Sequence, residues 1–422
     1  MDILIFILKI VIPPVLVLNF IPLMIWFERK GSAYIQERRG PNRAHILGIR
    51  LGGIIHNFAD VIKLITKEDI IPANVNRLYF IGAPLIAIFV GIVTIAVVPL
   101  ADSVQIGEKL VHIQVADLNV GILYVFAISS LGVYSVLLAG WSSNNKYSLL
   151  GGLRAASQMV SYELALGLTV VGLFMLAESA SVSEIVRHQG PHVLHWNFVQ
   201  QPLAFIIFWI AVFAETNRTP FDLPEGESEI VAGYHTEYSS MKFALFFMAE
   251  YAHMVVAAAL ITALFFGGWQ VPFLTTLDLK TQAPFYLYVT VLTVSFIALF
   301  FGLLLLSQFK KGKYRDARDY EVLVFGIPLF LLALAGGGSA IFTGPWALPE
   351  WGRVLFAALV QATSFGIKMT FFAFFFIWIR WTLPRFRYDQ VMNFGWKGML
   401  PLALLNIVVT GVVLLWKGNH HG

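Results

Sequence analysis

Residues 214–239 read AETNRTPFDLPEGESEIVAGYHTEYS and gather Glu215, Asp222, Glu225, Glu227, Glu229 and Glu237 around one formal counter-charge, Arg218. The chain on either side is strongly apolar. Carboxylates crowded near hydrocarbon repel one another and are poorly solvated, so some keep protons near neutral pH and the set titrates together. The chemistry open to such a set is proton handling. A strand would place Glu225, Glu227 and Glu229 on one face, whereas a helix would join only Glu225 and Glu229. Pro220 and Pro224 favour a non-helical backbone before Glu225. A solvated acidic loop is the competing reading of the triplet.

Other acids fall within or at the ends of apolar stretches: Glu28, Glu163 after Ser161 and Tyr162, Glu215, and Glu250 in FFMAEYAHM. An isolated charge there costs several kcal/mol, so these groups are expected to face a bundle interior, paired, hydrated or protonated. Two basic constellations accompany them. One is ERK at 28–30 with Tyr34, Gln36, Arg38, Arg39 and the turn Gly40–Pro41–Asn42–Arg43; the other is RWTLPRFRYDQ at 380–390. Basic groups beside an apolar cavity can hold a polar headgroup while the walls take an apolar tail. Snorkelling anchors that touch lipid phosphates would use the same residues.

These groups need elements to hold them, and composition says which. The chain is 58% hydrophobic and 13% charged, with a mean hydropathy of +0.74, against about 25% charged for a soluble domain. It is a polytopic membrane protein. It has no cysteine, which excludes disulfides and Cys-ligated iron–sulfur or zinc sites on this chain. Its ten His form no H-E-x-x-H pattern, and no glycine fingerprint for a nucleotide is present. With a span needing about 20 apolar residues, ten candidates emerge at roughly 3–27, 79–100, 120–140, 157–177, 202–216, 242–268, 285–308, 322–344, 354–380 and 399–416. The fold expected is an all-α transmembrane bundle, a single integral membrane domain over 1–422. The first stretch is read as a span rather than a signal peptide.

Lys and Arg crowd one set of loops: Arg29 to Arg77, Lys146 with Arg154, Arg218 with Lys242, Lys310 to Arg318, and Arg380 to Lys397. The opposite loops carry single residues such as Lys109, Arg187, Lys280 and Arg353. The rich side is cytoplasmic by the positive-inside rule, which puts both termini outside and the acidic segment inside. The pI near 9.1 thus reflects topology, not nucleic-acid binding. In the first cytoplasmic loop, Leu51, Ile54, Ile55, Phe58, Val61, Ile62 and Ile65 recur at helical spacing. An amphipathic helix lying in the membrane interface and one packed on the bundle fit this pattern equally. No internal repeat suggests an inverted-repeat transporter.

Together these strings resemble the quinone-chamber membrane component of NADH–quinone oxidoreductase, the H family of respiratory complex I. The resemblance rests on ERK at 28–30, RGPNR at 39–43, ADVIKLITKE at 59–68, GGLRAASQMVSYE at 151–163, the acidic segment, FALFFMAEY at 243–251 and LPRFRYDQVMNFGWK at 383–397. It covers about 1–271 and 354–417. The resemblance implies a chamber in which quinone, the substrate, is reduced by an iron–sulfur cluster on a neighbouring subunit, with no FMN or cluster on this chain. It also implies a line of acids that couples the reduction to proton pumping. By motif, Arg29, Gln36, Arg38, Asp60, Arg380 and Arg385 would shape the chamber. Glu163, Glu215, Asp222, Glu225, Glu227, Glu229 and Glu250 would form the relay and its gating loop.

Implied partners are peripheral-arm quinone-site and iron–sulfur subunits, small membrane subunits, antiporter-like subunits and lipids. The implied location is a bacterial inner membrane. The same anchor serves energy-converting hydrogenases and deazaflavin-dependent dehydrogenases, and a stand-alone ion transporter is the reading from another class. The sequence departs from the family pattern at about 272–353, where two further hydrophobic stretches flank KKGKYRDARDYE at 310–321. This reads as an inserted hairpin on the bundle periphery that binds an accessory subunit or lipid.

Overall fold

A helix rises about 1.5 Å per residue, so about 20 residues cross the roughly 30 Å hydrocarbon core. Three helices greatly exceed that length: α1 (Asp2–Ile35, 34 residues), α5 (Lys146–Ala177, 32 residues) and α13 (Glu350–Thr382, 33 residues). They carry the ERK, GGLRAASQ and IRWT strings, and the Trp381 ring of α13 packs against Gly31 of α1. Other elements in chain order are α2 (Ile55–Thr66), α3 (Arg77–Val93), strands β1 (Ala101–Ile106) and β2 (Lys109–Ile113), and α4 (Gly121–Ser142). Then come α6 (Val182–Gln189), α7 (Asn197–Gln200), α8 (Pro202–Glu215), α9 (Ser240–Phe265), α10 (Thr276–Thr281), α11 (Ala283–Lys310), α12 (Arg318–Thr343), α14 (Tyr388–Phe394) and α15 (Leu400–His421). The computed structural model describes residues 2–106, 109–223, 232–310 and 318–421.

Among the described residues, nine helical segments are long and apolar enough to cross a membrane, and α8 is a shorter apolar helix. Against the expectation of about ten spans, nine helices are long enough, and α8, with 14 residues, at about 21 Å falls short of the core. The all-helical expectation fails at one point. Between α3 and α4 the chain forms an antiparallel hairpin, β1 with β2, pairing Val104 with Val111 and Ile106 with Lys109.

The α9 helix is the axis of the bundle. Its buried run from Met254 to Phe265 meets α1, α3, α8 and α13, and the apolar core surrounds it. Helix α4 packs on α3, and α4 and α5 close on each other through small residues. A Cβ on Gly140 of α4 would lie 2.5 Å from the Ser148 carbonyl oxygen, and one on Gly152 of α5 would lie 3.1 Å from that of Val136. Backbone contact this close needs residues without a side chain. Gly140→Ala is expected to lower stability by about 1–3 kcal/mol through overpacking, seen as a lower thermal midpoint in detergent. Outward-facing apolar residues such as Leu16, Phe296 and Leu415 remain exposed.

Helix α2 covers Ile55–Thr66. Phe58, Val61, Ile62 and Ile65 are exposed, while Asn57 donates to the Pro22 carbonyl oxygen at 2.7 Å and ties α2 to α1. Helices α11 and α12 pack on each other along their length. At the foot of α12 the Glu321 carboxylate accepts from the backbone N–H of Arg50 and of Leu51. This helix pair thus touches the segment between α1 and α2.

Candidate functional site

Helices α1, α9 and α13 bring ionisable residues around one side chain, Arg218. It enters from the loop after α8, and its side chain is 4% exposed. Its Nη2 donates to Glu28 Oε2 at 2.7 Å and its Nη1 lies 2.9 Å from Glu250 Oε1. Its Nε faces Met254 Sδ at 3.2 Å, and the guanidinium lies 4.6 Å from the centre of the Tyr251 ring. Burial works against the Arg218 charge, but Glu250, Tyr251 and Glu28 outweigh it and hold the group above the usual arginine range. It is a permanent cation shared by two carboxylates. Glu28 also accepts from the Tyr251 hydroxyl at 2.7 Å and from Arg380 Nη1.

Local sequence explains how the loop delivers Arg218. Gln158, fully buried in α5, donates through Nε2 to the carbonyl oxygens of Ala214 and Phe221, both at 2.7 Å. One amide thereby clamps both ends of the turn that carries Arg218. Asp222 follows, 5% exposed, and pairs with Arg385 at 2.9 Å. The far end of the acidic segment is fixed as well. Tyr238 stacks on Phe80 at 4.1 Å and donates to its carbonyl oxygen at 3.1 Å, and burial pushes its phenol up to about 12. Lys242 holds both oxygens of Asp69 at 2.6 Å, joining α9 to the stretch after α2. Glu237 accepts from Asn145 at 2.6 Å.

The structure thus brings four of the acids singled out from sequence into two groups. Glu28 and Glu250 share Arg218. Glu215 accepts from Ser129 and lies close enough to Glu163 for their charges to interact. Glu225, Glu227 and Glu229 lie outside the described residues. Of the basic residues, Arg29 pairs with Asp60 across α1 and α2, Arg380 reaches Glu28, and Arg385 goes to Asp222. Gln36 and Arg38 are exposed just past the end of α1. Among the described residues, no cluster of three His, Asp or Glu could hold a metal.

Sequence reasoning missed the shared role of Arg218, although its isolation among acids was the available signal. It also passed over Gln158, His253 and Lys368, polar residues inside apolar helices. An apolar cavity of about 440 Å³ lies beside the Asp222–Arg385 pair, lined by Trp209, Phe213, Phe221, Phe386, Gln390 and Phe394 among others.

A family model described as NADH dehydrogenase matches residues 7–337 and again 323–411. Three similar proteins are each the H component of a bacterial NADH-quinone oxidoreductase. The chain is 44% identical over 396 residues to one from Solibacter usitatus, covering 93% of this chain and 92% of that protein. It is 41% identical over 396 residues to one from Salinibacter ruber, covering 93% and 91%. It is 36% identical over 431 residues to one from Bdellovibrio bacteriovorus, covering 96% and 95%. These relatives are therefore of comparable length to this chain.

Proposed function

The chain belongs to the H family of NADH-quinone oxidoreductase components, as a multi-pass membrane subunit of that enzyme, and from this premise we propose that it forms part of the quinone chamber and carries the acidic relay that couples quinone reduction to proton translocation. The observation that supports this most is the double bonding of Glu28. One carboxylate joins Arg380, from the basic set, to Arg218, from the acidic segment. A charge change on the basic side therefore reaches Glu250 through one shared guanidinium. Two unit charges 4 Å apart interact by about 4 kcal/mol at an effective dielectric of about 20, enough to move a proton equilibrium by orders of magnitude.

The chamber is assigned to Arg29, Gln36, Arg38, Asp60, Arg380 and Arg385, with quinone as substrate. Guanidinium groups suit the carbonyl oxygens of a quinone ring, which accept hydrogen bonds in the reduced, anionic state more strongly than in the oxidised one. The apolar cavity beside Arg385 suits a hydrocarbon tail. The relay is assigned to Glu163, Glu215, Asp222, Glu225, Glu227, Glu229 and Glu250. Iron–sulfur and quinone-site subunits of the peripheral arm would cover the cytoplasmic face, and antiporter-like and small membrane subunits would take up the relay. The chain would sit in a bacterial inner membrane with both termini periplasmic and α2 in the interface. Helices α11 and α12 would be the peripheral hairpin, held to the first cytoplasmic loop by Glu321 and contacting an accessory subunit or lipid.

Two measurements test the assignment. Glu215→Gln and Glu250→Gln in the assembled enzyme are each expected to cut proton translocation driven by NADH at least tenfold; full coupled pumping in both would refute the relay. Asp60→Asn tests the chamber. The Arg29–Asp60 pair is more than a third exposed on both sides, so it contributes about 1 kcal/mol or less to stability. The variant should assemble normally while the KM for quinone rises several-fold. An unchanged KM would remove Asp60 from the chamber.

A further inference from the structure

Between the two acidic groups lies an unassigned histidine. His253 follows Glu250 by three residues in α9, so both project from the same face. Two small cavities meet at its ring. One, about 30 Å³, is lined by Glu250, Asn217, Tyr234 and Ser135; the other, about 50 Å³, by Glu215, Ser129 and Thr94. His253, Met159 and Thr216 line both. Each exceeds the ~10–15 Å³ that one water requires, and each offers several polar partners to hold it. The His253 Nε2 is buried and has no hydrogen-bond partner within the protein.

Neighbouring helices make room for this ring. A Cβ on Gly91 of α3 would lie 3.1 Å from His253 Cδ2 and 3.3 Å from Nε2, and one on Gly132 of α4 would lie 3.8 Å from Cε1. An imidazole can accept a proton on one nitrogen while releasing another from the second. Water held in the two cavities would link Glu250, the imidazole and Glu215 in one series.

We propose that His253 passes protons between Glu250 and Glu215 through waters held in these two cavities. The step conserves charge. The protonated carboxyl on one side gives its proton through water to one ring nitrogen, and the other nitrogen releases its proton through water to the carboxylate on the far side. The ring is left neutral with its tautomer exchanged, and rotation of the imidazole restores it. Arg218 stays bonded to Glu250 throughout.

The inference rests on the relay reading, and the test separates the two. His253→Gln and His253→Asn are made in the whole enzyme, beside Glu215→Gln and Glu250→Gln, and reconstituted in vesicles. Protons moved per NADH, kcat and KM for quinone are measured, with assembled enzyme counted by its rate with an artificial electron acceptor. Both histidine variants are expected to keep the KM and the assembled amount while coupled kcat falls about tenfold or more, as for loss of an acid–base group. Full pumping by the glutamate variants sinks the relay itself. Loss in the glutamate variants with full pumping in the histidine variants sinks His253 alone. A loss that only tracks missing assembly in both histidine variants assigns the ring to packing and overturns the proposal.

Discussion

Arg218→Met is expected to strip the protein from the membrane enzyme or leave it inert. The guanidinium is 4% exposed and is shared by Glu28 and Glu250, whose side chains are 14% and 15% exposed. Methionine fills similar space but leaves two carboxylates facing each other with one cation removed. Glu28 keeps Arg380 and the Tyr251 hydroxyl, while Glu250 loses the guanidinium 2.9 Å from its carboxylate. Removing one partner of a buried ion pair costs about 3–5 kcal/mol, a large part of the ~5–15 kcal/mol that holds a folded protein together. The amount of this chain in membranes and NADH-driven quinone reduction measure the loss. Arg218→Lys should fall between, because one ammonium cannot present two parallel donors to two acids. Adding Glu250→Gln to Arg218→Met should recover assembly, since it neutralises the acid left exposed to the core. Normal content and activity in Arg218→Met would show that the shared guanidinium is not needed.

Much of the architecture was legible because it follows from length and apolar content alone. Nine stretches of sufficient length became long helices, and the stretch at 202–216 became the shorter α8. The hairpin at 101–113 was not legible. Its residues, such as Val104, Ile106, Leu110 and Val111, are as apolar as those of a helix end, and pairing across a turn leaves no periodic signature in so short a run. The site was half legible. Glu28, Glu163, Glu215 and Glu250 were visible as acids in oily surroundings, and that is a local property. Their grouping was not, because it depends on α1, α9 and α13 packing side by side and on Gln158 folding the 214–221 turn toward them. Sequence reading kept the basic and acidic constellations apart, whereas Arg380 on Glu28 and Arg385 on Asp222 interlock them. His253 and Lys368 were passed over because a single polar residue in an apolar helix is ambiguous until its neighbours are known.

Lys368 gives the second large effect, through stability at the opposite end of α9. That helix stops at Phe265, and the chain turns back through Gly267 and Gly268, both with positive φ (68° and 49°). Such a turn aims carbonyl oxygens inward, where no helix N–H can reach them. Lys368, well inside α13, supplies the donors: its Nζ bonds the carbonyl oxygens of Phe266 and Gly268 at 3.0 Å and of Gln270 at 2.7 Å. An ammonium has three donors, so all are used. The Trp196 ring lies 4.3 Å from the charge and covers it. Lys368→Met removes three charge-assisted bonds, each worth about 1.5–3 kcal/mol, with water recovering part of the loss. A net destabilisation of roughly 3 kcal/mol or more is expected. Because the clamp is local, faster amide exchange should concentrate at 266–270 and in the α9 turn before it. The Gly268 N–H, bonded to the Thr262 carbonyl oxygen at 2.8 Å, is the most direct reporter. Lys368→Gln retains two donors and should restore part of the protection. Unchanged exchange there in Lys368→Met would mean that the turn holds itself and that the lysine serves another purpose.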